Sequence, residues 1–262
     1  MAPSNARQDL LAMVQSLQDL LPPSDHSVLG HWAPHAGPAA KAVSPPPSAR
    51  PEDKLRQLLE KQIGDCHRCP LGDTRQKIAF GVGNPRARVM LVGEGPGYME
   101  DRQGEPFVGP AGQLLDKILA AIELSRQPVE PSWRWVYIAN IVKCHPMKEP
   151  EQPDKRGNDR PPTPEEMDAC FPFLAEQIRI VRPWIILSLG ATAAKSLLKT
   201  SRGITALRGQ WFDFHLDGCD PMRLMPTFHP AALLRDPALK RDVWEDVKKL
   251  SGDLKRRLSS DV

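Results

Sequence analysis

Residues 89–97 read Val89-Met90-Leu91-Val92-Gly93-Glu94-Gly95-Pro96-Gly97: an unbroken apolar run that stops in a turn rich in glycine. A short apolar run closed by Gly and Pro is the signature of a strand buried on both faces. Three more runs follow it, Val136–Ile141, Ile185–Leu189 and Leu224–Phe228. Helical periodicity fills the intervals and the end, over Leu114–Leu124, Glu165–Val181, Ala191–Leu198 and Val243–Leu258. The second of these opens Thr163-Pro164-Glu165-Glu166, a capping box with proline in the first turn. Upstream, Leu55, Leu58, Leu59 and Ile63 mark a further helix. Alternation of this kind predicts an α/β fold, a three-layer α/β/α sandwich around a central four-stranded parallel sheet.

Sheets of this type bind ligands beyond the carboxyl ends of their strands. Gly93–Gly97 follows the first strand there, Asn140 ends the second with Cys144 just beyond, Ser188 and Gly190 end the third, and His229-Pro230 follows the fourth. The glycine-rich turn is neither a dinucleotide fingerprint nor a P-loop, yet it lets backbone approach a ligand, and Glu94 within it is not needed for folding. Downstream, Glu100 and Asp101 lead into Pro106-Phe107-Val108-Gly109-Pro110-Ala111-Gly112. Phe107 in so polar a loop either stacks on a planar ligand or plugs the top of the core. Asn140 either caps a turn or pairs with the edge of a base, and His229 is either a turn residue or a donor to a developing anion.

The 262 residues are 40 % hydrophobic, enough for one domain with a proper core. No apolar run reaches the roughly 18 residues of a membrane span. The absence of a signal-peptide pattern argues against secretion and for a cytoplasmic protein. A net charge of +3 does not announce a nucleic-acid binder, so any such surface must be a local patch. The 28 prolines are about twice the roughly 5 % norm. Many fall in residues 22–51, a Pro/Ala/Ser-rich stretch that reads as a disordered linker. Before it, Leu10, Leu11, Val14, Leu17 and Leu21 form an amphipathic helix, either loosely docked or made for a protein partner. The chain thus divides into an N-terminal extension, 1–51, and a folded domain, 52–262.

Five cysteines without an export signal point to cofactor chemistry in a reducing compartment. Cys66-His67-Arg68-Cys69 is a C-x-x-C pair, followed by isolated Cys144 and Cys170. By spacing alone an iron–sulfur cluster, a zinc ion and unconnected buried thiols all stand. Cys219 reads as a plain loop or core thiol, and His67 and His145 as solvent-facing neighbours of ligand candidates.

The motifs GEGPG, PFVGPAG, VYIANIVKC, TPEEMDAC and PTFHPAALLR, in that order over roughly residues 60–255, resemble the family 4 uracil-DNA glycosylases. The resemblance implies a DNA-repair glycosylase that flips uracil out of DNA and hydrolyses its N-glycosidic bond. It implies a 4Fe–4S cluster held by Cys66, Cys69, Cys144 and Cys170, with Phe107 stacked on the flipped uracil and Asn140 reading its polar edge. His229 would lie beside uracil O2, and the backbone of Gly93–Gly95 would line the pocket. Uracil-containing DNA is the implied partner, and a monomer is expected.

Two features depart from the family pattern. Tyr98-Met99 stands where acidic residues are common, and the polar insert Lys148–Arg160 lengthens the span between Cys144 and Cys170. A related class that traps DNA covalently carries a reactive histidine in such an insert; this one has none, which favours hydrolysis. A carboxylate must orient water. Glu94 is the first candidate and Glu100 the second, since Gly95 matches the position of the Asp that some superfamily members use. The rivals are covalent trapping and a non-catalytic DNA-binding module of the same fold.

Overall fold

The computed structural model describes residues 50–260. The amphipathic helix expected before residue 22, and nearly all of the linker, lie outside the described residues.

Helix α1 (Pro51–Gln57) continues as a π-helical stretch, Leu58–Ile63, and the short α2 spans Leu71–Thr74. Strand β1 (Val82–Gly83) precedes β2 (Val89–Gly93), after which come α3 (Tyr98–Gln103) and α4 (Pro110–Ala121). Then follow β3 (Tyr137–Asn140), α5 (Pro164–Val181), β4 (Ile185–Leu189), α6 (Ala191–Leu198) and α7 (Ile204–Leu207). The chain closes with β5 (Phe212–Phe214), β6 (Met222–Thr227), α8 (Pro230–Arg235) and α9 (Leu239–Ser260). No described helix is long and apolar enough to cross a membrane.

The sheet order is β1-β3-β2-β4-β6-β5. Its four central strands run parallel, and they are the four the apolar runs predict. They are buried along nearly their whole length, as strands covered on both faces must be. The sheet is wider than expected: β1 and β5 add short antiparallel edges. The capping box at α5 forms as predicted, with Thr163 Oγ1 accepting from the Glu166 N–H and Glu166 accepting from the Thr163 N–H.

The connection from β2 leads to β3 on one side of it, whereas β4 lies on the other side and leads on to β6. The chain therefore reverses direction between the carboxyl ends of β2 and β4. A crevice opens at such a switch point, between the two loops that diverge from it.

Candidate functional site

A cleft of about 580 Å³ lies there. Glu94, Gly95, Glu100, Phe107 and His229 all line it. Gly93 and Asn140 sit behind them as register partners on β2 and β3, so both stand at the same level of the sheet edge. A Cβ on Gly93 would fall 2.5 Å from both Asn140 Oδ1 and Phe107 Cζ. Only glycine allows the amide and the ring to meet there.

Phe107 reaches this position through a left-handed backbone, φ 58°, uncommon for a bulky residue and costing on the order of 1–3 kcal/mol. Strain of this sort persists only when its surroundings enforce it. Gly112 makes room for this conformation, since a Cβ there would lie 1.7 Å from the Phe107 carbonyl oxygen. Glu100 holds the loop in place. Its Oε1 accepts from the N–H groups of Val108 and Gly109, both at 2.9 Å, and its Oε2 from the N–H of Gly97 at 3.2 Å. Both carboxylate oxygens are thus committed to backbone donors.

Asn140 is 1 % exposed and its Oδ1 has no partner. A buried unpaired acceptor costs about 1–3 kcal/mol, so it calls for a ligand donor. Its backbone carbonyl accepts from the ammonium of Lys143 at 2.7 Å. Lys143 is itself buried, and that burial lowers its pKa to about 8 against the opposing pull of the Cys170 and Cys144 thiols.

His229 caps α8: its Nδ1 accepts from the Ala231 N–H at 3.1 Å. With Nδ1 used as an acceptor, the neutral ring carries its proton on Nε2. Burial, with a smaller contribution from Arg235, lowers its pKa to about 4, so it is neutral at pH 7. The ring stacks on Phe107 and packs against Gly190, whose added Cβ would lie 3.0 Å from His229 Cβ.

Glu94 Oε2 accepts from the hydroxyl of Thr192 in the first turn of α6. This bond spans the switch point, from the loop after β2 to the helix after β4. Thr192 carries no signal in the sequence beyond its position at the carboxyl edge of the sheet.

The insert forms an ordered excursion. Asn158 Nδ2 donates to the carbonyls of Glu149 and Gln152, and Arg160 pairs with Glu166 through two bonds of 2.8 and 2.7 Å. Its end carries Asp159 back to the cleft, where His145 Nε2 meets Asp159 Oδ1 at 2.7 Å. The solvent-facing assignment of His145 is wrong. Its side chain is fully buried, because Asp159 supplies a polar partner from 14 residues away. His67 does face solvent, with its ring half exposed between Asp65 and Asp73.

Cys66, Cys69, Cys144 and Cys170 line one hollow, separate from the cleft, with Ile63, Lys143 and Phe173. All four are free thiols. Arg75 ties the first pair down, donating to the carbonyls of Cys66 and Gly72 at 2.6 and 2.8 Å. Burial pushes the Cys144 thiol up to about 12 and raises that of Cys170, each helped by the neighbouring thiols. Four thiols gathered around one hollow, two of them held protonated by burial, suit a positively charged metal centre, which would reverse that penalty. Among the described residues, no three His, Cys, Asp or Glu side chains are grouped as for a single metal ion. Cys219 stands apart, packed against the edge of the core.

A family model described as the uracil DNA glycosylase superfamily matches residues 80–248, more than half the chain. A type-4 uracil-DNA glycosylase of Thermotoga maritima is 39 % identical over 207 residues, covering 78 % of this chain and 97 % of that protein. Another, from Pyrobaculum aerophilum, is 36 % identical over 200 residues, covering 75 % and 93 %. A type-5 uracil-DNA glycosylase of Pyrobaculum aerophilum is 33 % identical over 159 residues, covering 58 % and 64 %. The chain belongs to the uracil-DNA glycosylase superfamily.

Proposed function

We propose that the chain is a DNA-repair glycosylase of the type-4 class, which flips uracil out of DNA and hydrolyses its N-glycosidic bond. The observation that carries this reading is the buried, unpaired Oδ1 of Asn140 close to the ring of Phe107, which itself stacks on His229.

Uracil offers an acceptor at O4 and a donor at N3, and one side-chain amide satisfies both. Phe107 would stack on the flipped ring, and the backbone of Gly93 and Gly95 would border it. As the bond breaks, negative charge develops on the base, including O2. A neutral imidazole N–H already aimed by its own cap is suited to stabilise that charge without reorganising. Glu94, steadied by Thr192, would orient the attacking water and accept its proton. With both oxygens on backbone N–H groups, Glu100 reads as the organiser of the Phe107 loop rather than the water-activating base.

The four cysteines would hold a 4Fe–4S cluster, which would serve as a structural cross-link rather than a reactant. It would tie the segment after α1, the end of β3 and α5 together. Lys143, shared between the hollow and the Asn140 carbonyl, joins that cross-link to the uracil pocket. In the same reading, residues 52–262 are the catalytic domain, acting as a monomer in the cytoplasm. The 1–51 extension is a tethered partner-binding element.

The test is incubation with a uracil-containing oligonucleotide followed by alkali. Strand scission at the uracil is expected. An alkali-stable protein–DNA band would mean covalent trapping, and an unchanged oligonucleotide would mean a binding module.

A further inference from the structure

The insert 148–160 has no part in the chemistry described so far, yet it delivers a carboxylate to the reaction cleft. Asp159 lines it together with Glu94, Gly95 and Gly97. It lies directly beside Gly97, where a Cβ would stand in van der Waals contact, 3.4 Å from Asp159 Oδ1. The carboxylate is aimed from behind. His145, fully buried, holds Oδ1 at 2.7 Å. The two departures from the family pattern are thus one structure. Tyr98 receives the insert, with Arg156 over its ring at 5.7 Å, while Arg102 stacks on that ring at 3.5 Å and pairs with Asp154.

The Asp159 side chain remains 55 % exposed. The hydrogen bond from His145 holds its pKa below the usual carboxylate range, against the opposing effect of burial. A fixed negative charge in a cleft that receives a polyanion weakens binding, so its benefit must lie in another step. Breaking the glycosidic bond supplies one. The electron pair of the C1′–N1 bond leaves with uracil, and the sugar becomes cationic. Water oxygen then adds to C1′, its proton passes to Glu94, and the uracil anion takes a proton from solvent.

We propose that Asp159, oriented by His145, is a second carboxylate of the active site that stabilises the cationic sugar. This rests on the uracil-excision reading. The division of labour follows glycoside hydrolysis in general, where carboxyl groups flank an oxocarbenium-like centre.

The experiment compares wild type, Asp159→Asn and Asp159→Glu, each as the full chain with its cluster verified by absorbance. Three quantities are measured: single-turnover excision from a uracil-containing duplex, affinity for the same duplex carrying a cleavage-resistant 2′-fluorinated uracil nucleotide, and melting temperature. Asn keeps an acceptor for His145 but loses the charge. Its rate should fall roughly 10–100-fold, with affinity unchanged or tighter and melting temperature unchanged. Asp159→Glu should recover at least part of the rate. If Asp159→Asn cleaves at the wild-type rate, or if rate and affinity fall together, the carboxylate does not act on the cation. A wild type that releases no uracil would overturn the excision reading itself, and this proposal with it.

Discussion

The ring of Phe107 stacks on that of His229, with centroids 5.5 Å apart and planes inclined by 29°. The two residues belong to loops far apart in the sequence, one after β2 and one after β6, and different devices hold each. Phe107 sits in a strained left-handed conformation held by Glu100 and made possible by Gly112, and His229 is turned by its bond from the Ala231 N–H. Their contact puts a planar stacking surface beside an N–H donor before any ligand arrives. Preorganisation of that kind is what makes an anion-stabilising donor effective.

Glu94 and Glu100 should therefore separate experimentally. Glu94→Gln is expected to lower single-turnover excision by roughly 10²–10⁴, the usual range for a general base, with no change in melting temperature. Glu100→Ala frees three backbone donors and should destabilise the domain by on the order of 2 kcal/mol. A Glu94→Gln variant that melts early yet cleaves normally once folded would exchange the two roles.

Much of this arrangement is legible in the sequence, and the exceptions have physical causes. The four parallel strands are buried on both faces, so they appear as apolar runs. Strand β1 is only Val82–Gly83, and β5 is Phe-Asp-Phe, too short for any period to show. At the site, glycine-rich turns mark the loop after β2 because a backbone that must pass close to other groups excludes side chains. Thr192 and Asp159 escaped notice for a different reason. Each acts through a partner far away in the chain, 98 residues for Thr192 with Glu94 and 14 for Asp159 with His145. Pairing across such distances leaves no local pattern. The burial of His145 belongs to the same class.

The depressed pKa of His229 makes a prediction with a definite sign. The ring takes up a proton near pH 6.5 when unfolded but only near 4 when folded, because burial disfavours the charged form. Between those values the unfolded chain binds more protons, so stability is complete above 6.5 and is lost as pH falls towards 4. The imidazole therefore stays neutral across the physiological range, as the proposed donor role requires. NMR titration of the imidazole should give a midpoint near 4, and His229→Gln should flatten the acid side of the stability profile. A midpoint near 6.5 would mean that the ring is solvated and charged during turnover at mildly acidic pH.

The purified protein should be brown, absorb near 400 nm and hold about four irons per chain, as a Cys₄ cubane requires. Cys170→Ala should lose the colour and much of the soluble yield together, because the proposed cluster would then no longer tie α5 to the end of β3. Stoichiometric zinc in a colourless, active wild type would instead make the centre a mononuclear one.

Asn140→Asp tests recognition. Cytosine presents a donor where uracil has the O4 acceptor, and an acceptor where uracil has the N3 donor. A site built around one amide can therefore discriminate by about 10⁴ or more. Aspartate removes the donor to O4 and leaves an acceptor facing it, so uracil excision should fall by at least about two orders of magnitude. Residual activity should shift relatively towards cytosine. Equal uracil excision by both proteins at equal stability would return Asn140 to the role of a turn cap, since Asp and Asn cap comparably.

Gly93→Ala asks whether the pocket depends on one missing methyl group. The added Cβ would sit 2.5 Å from both Asn140 Oδ1 and Phe107 Cζ, well inside any tolerable contact. Neither neighbour can yield freely. Asn140 stands at the end of a buried strand with its carbonyl tied to Lys143, and Phe107 is fixed by its backbone and by His229. Overpacking of this kind costs about 1–3 kcal/mol, and relief must come from displacing the amide, the ring or both. Uracil excision should therefore drop by at least roughly 10²-fold, since even an ångström of misplacement carries that penalty. Gly252→Ala is the matched control. It lies within α9 with nothing near its added Cβ, so the same methyl group should stabilise the helix by up to about 1 kcal/mol and leave excision unchanged. If Gly93→Ala excises uracil as fast as Gly252→Ala, the close approach of Gly93, Asn140 and Phe107 has no part in recognising the base.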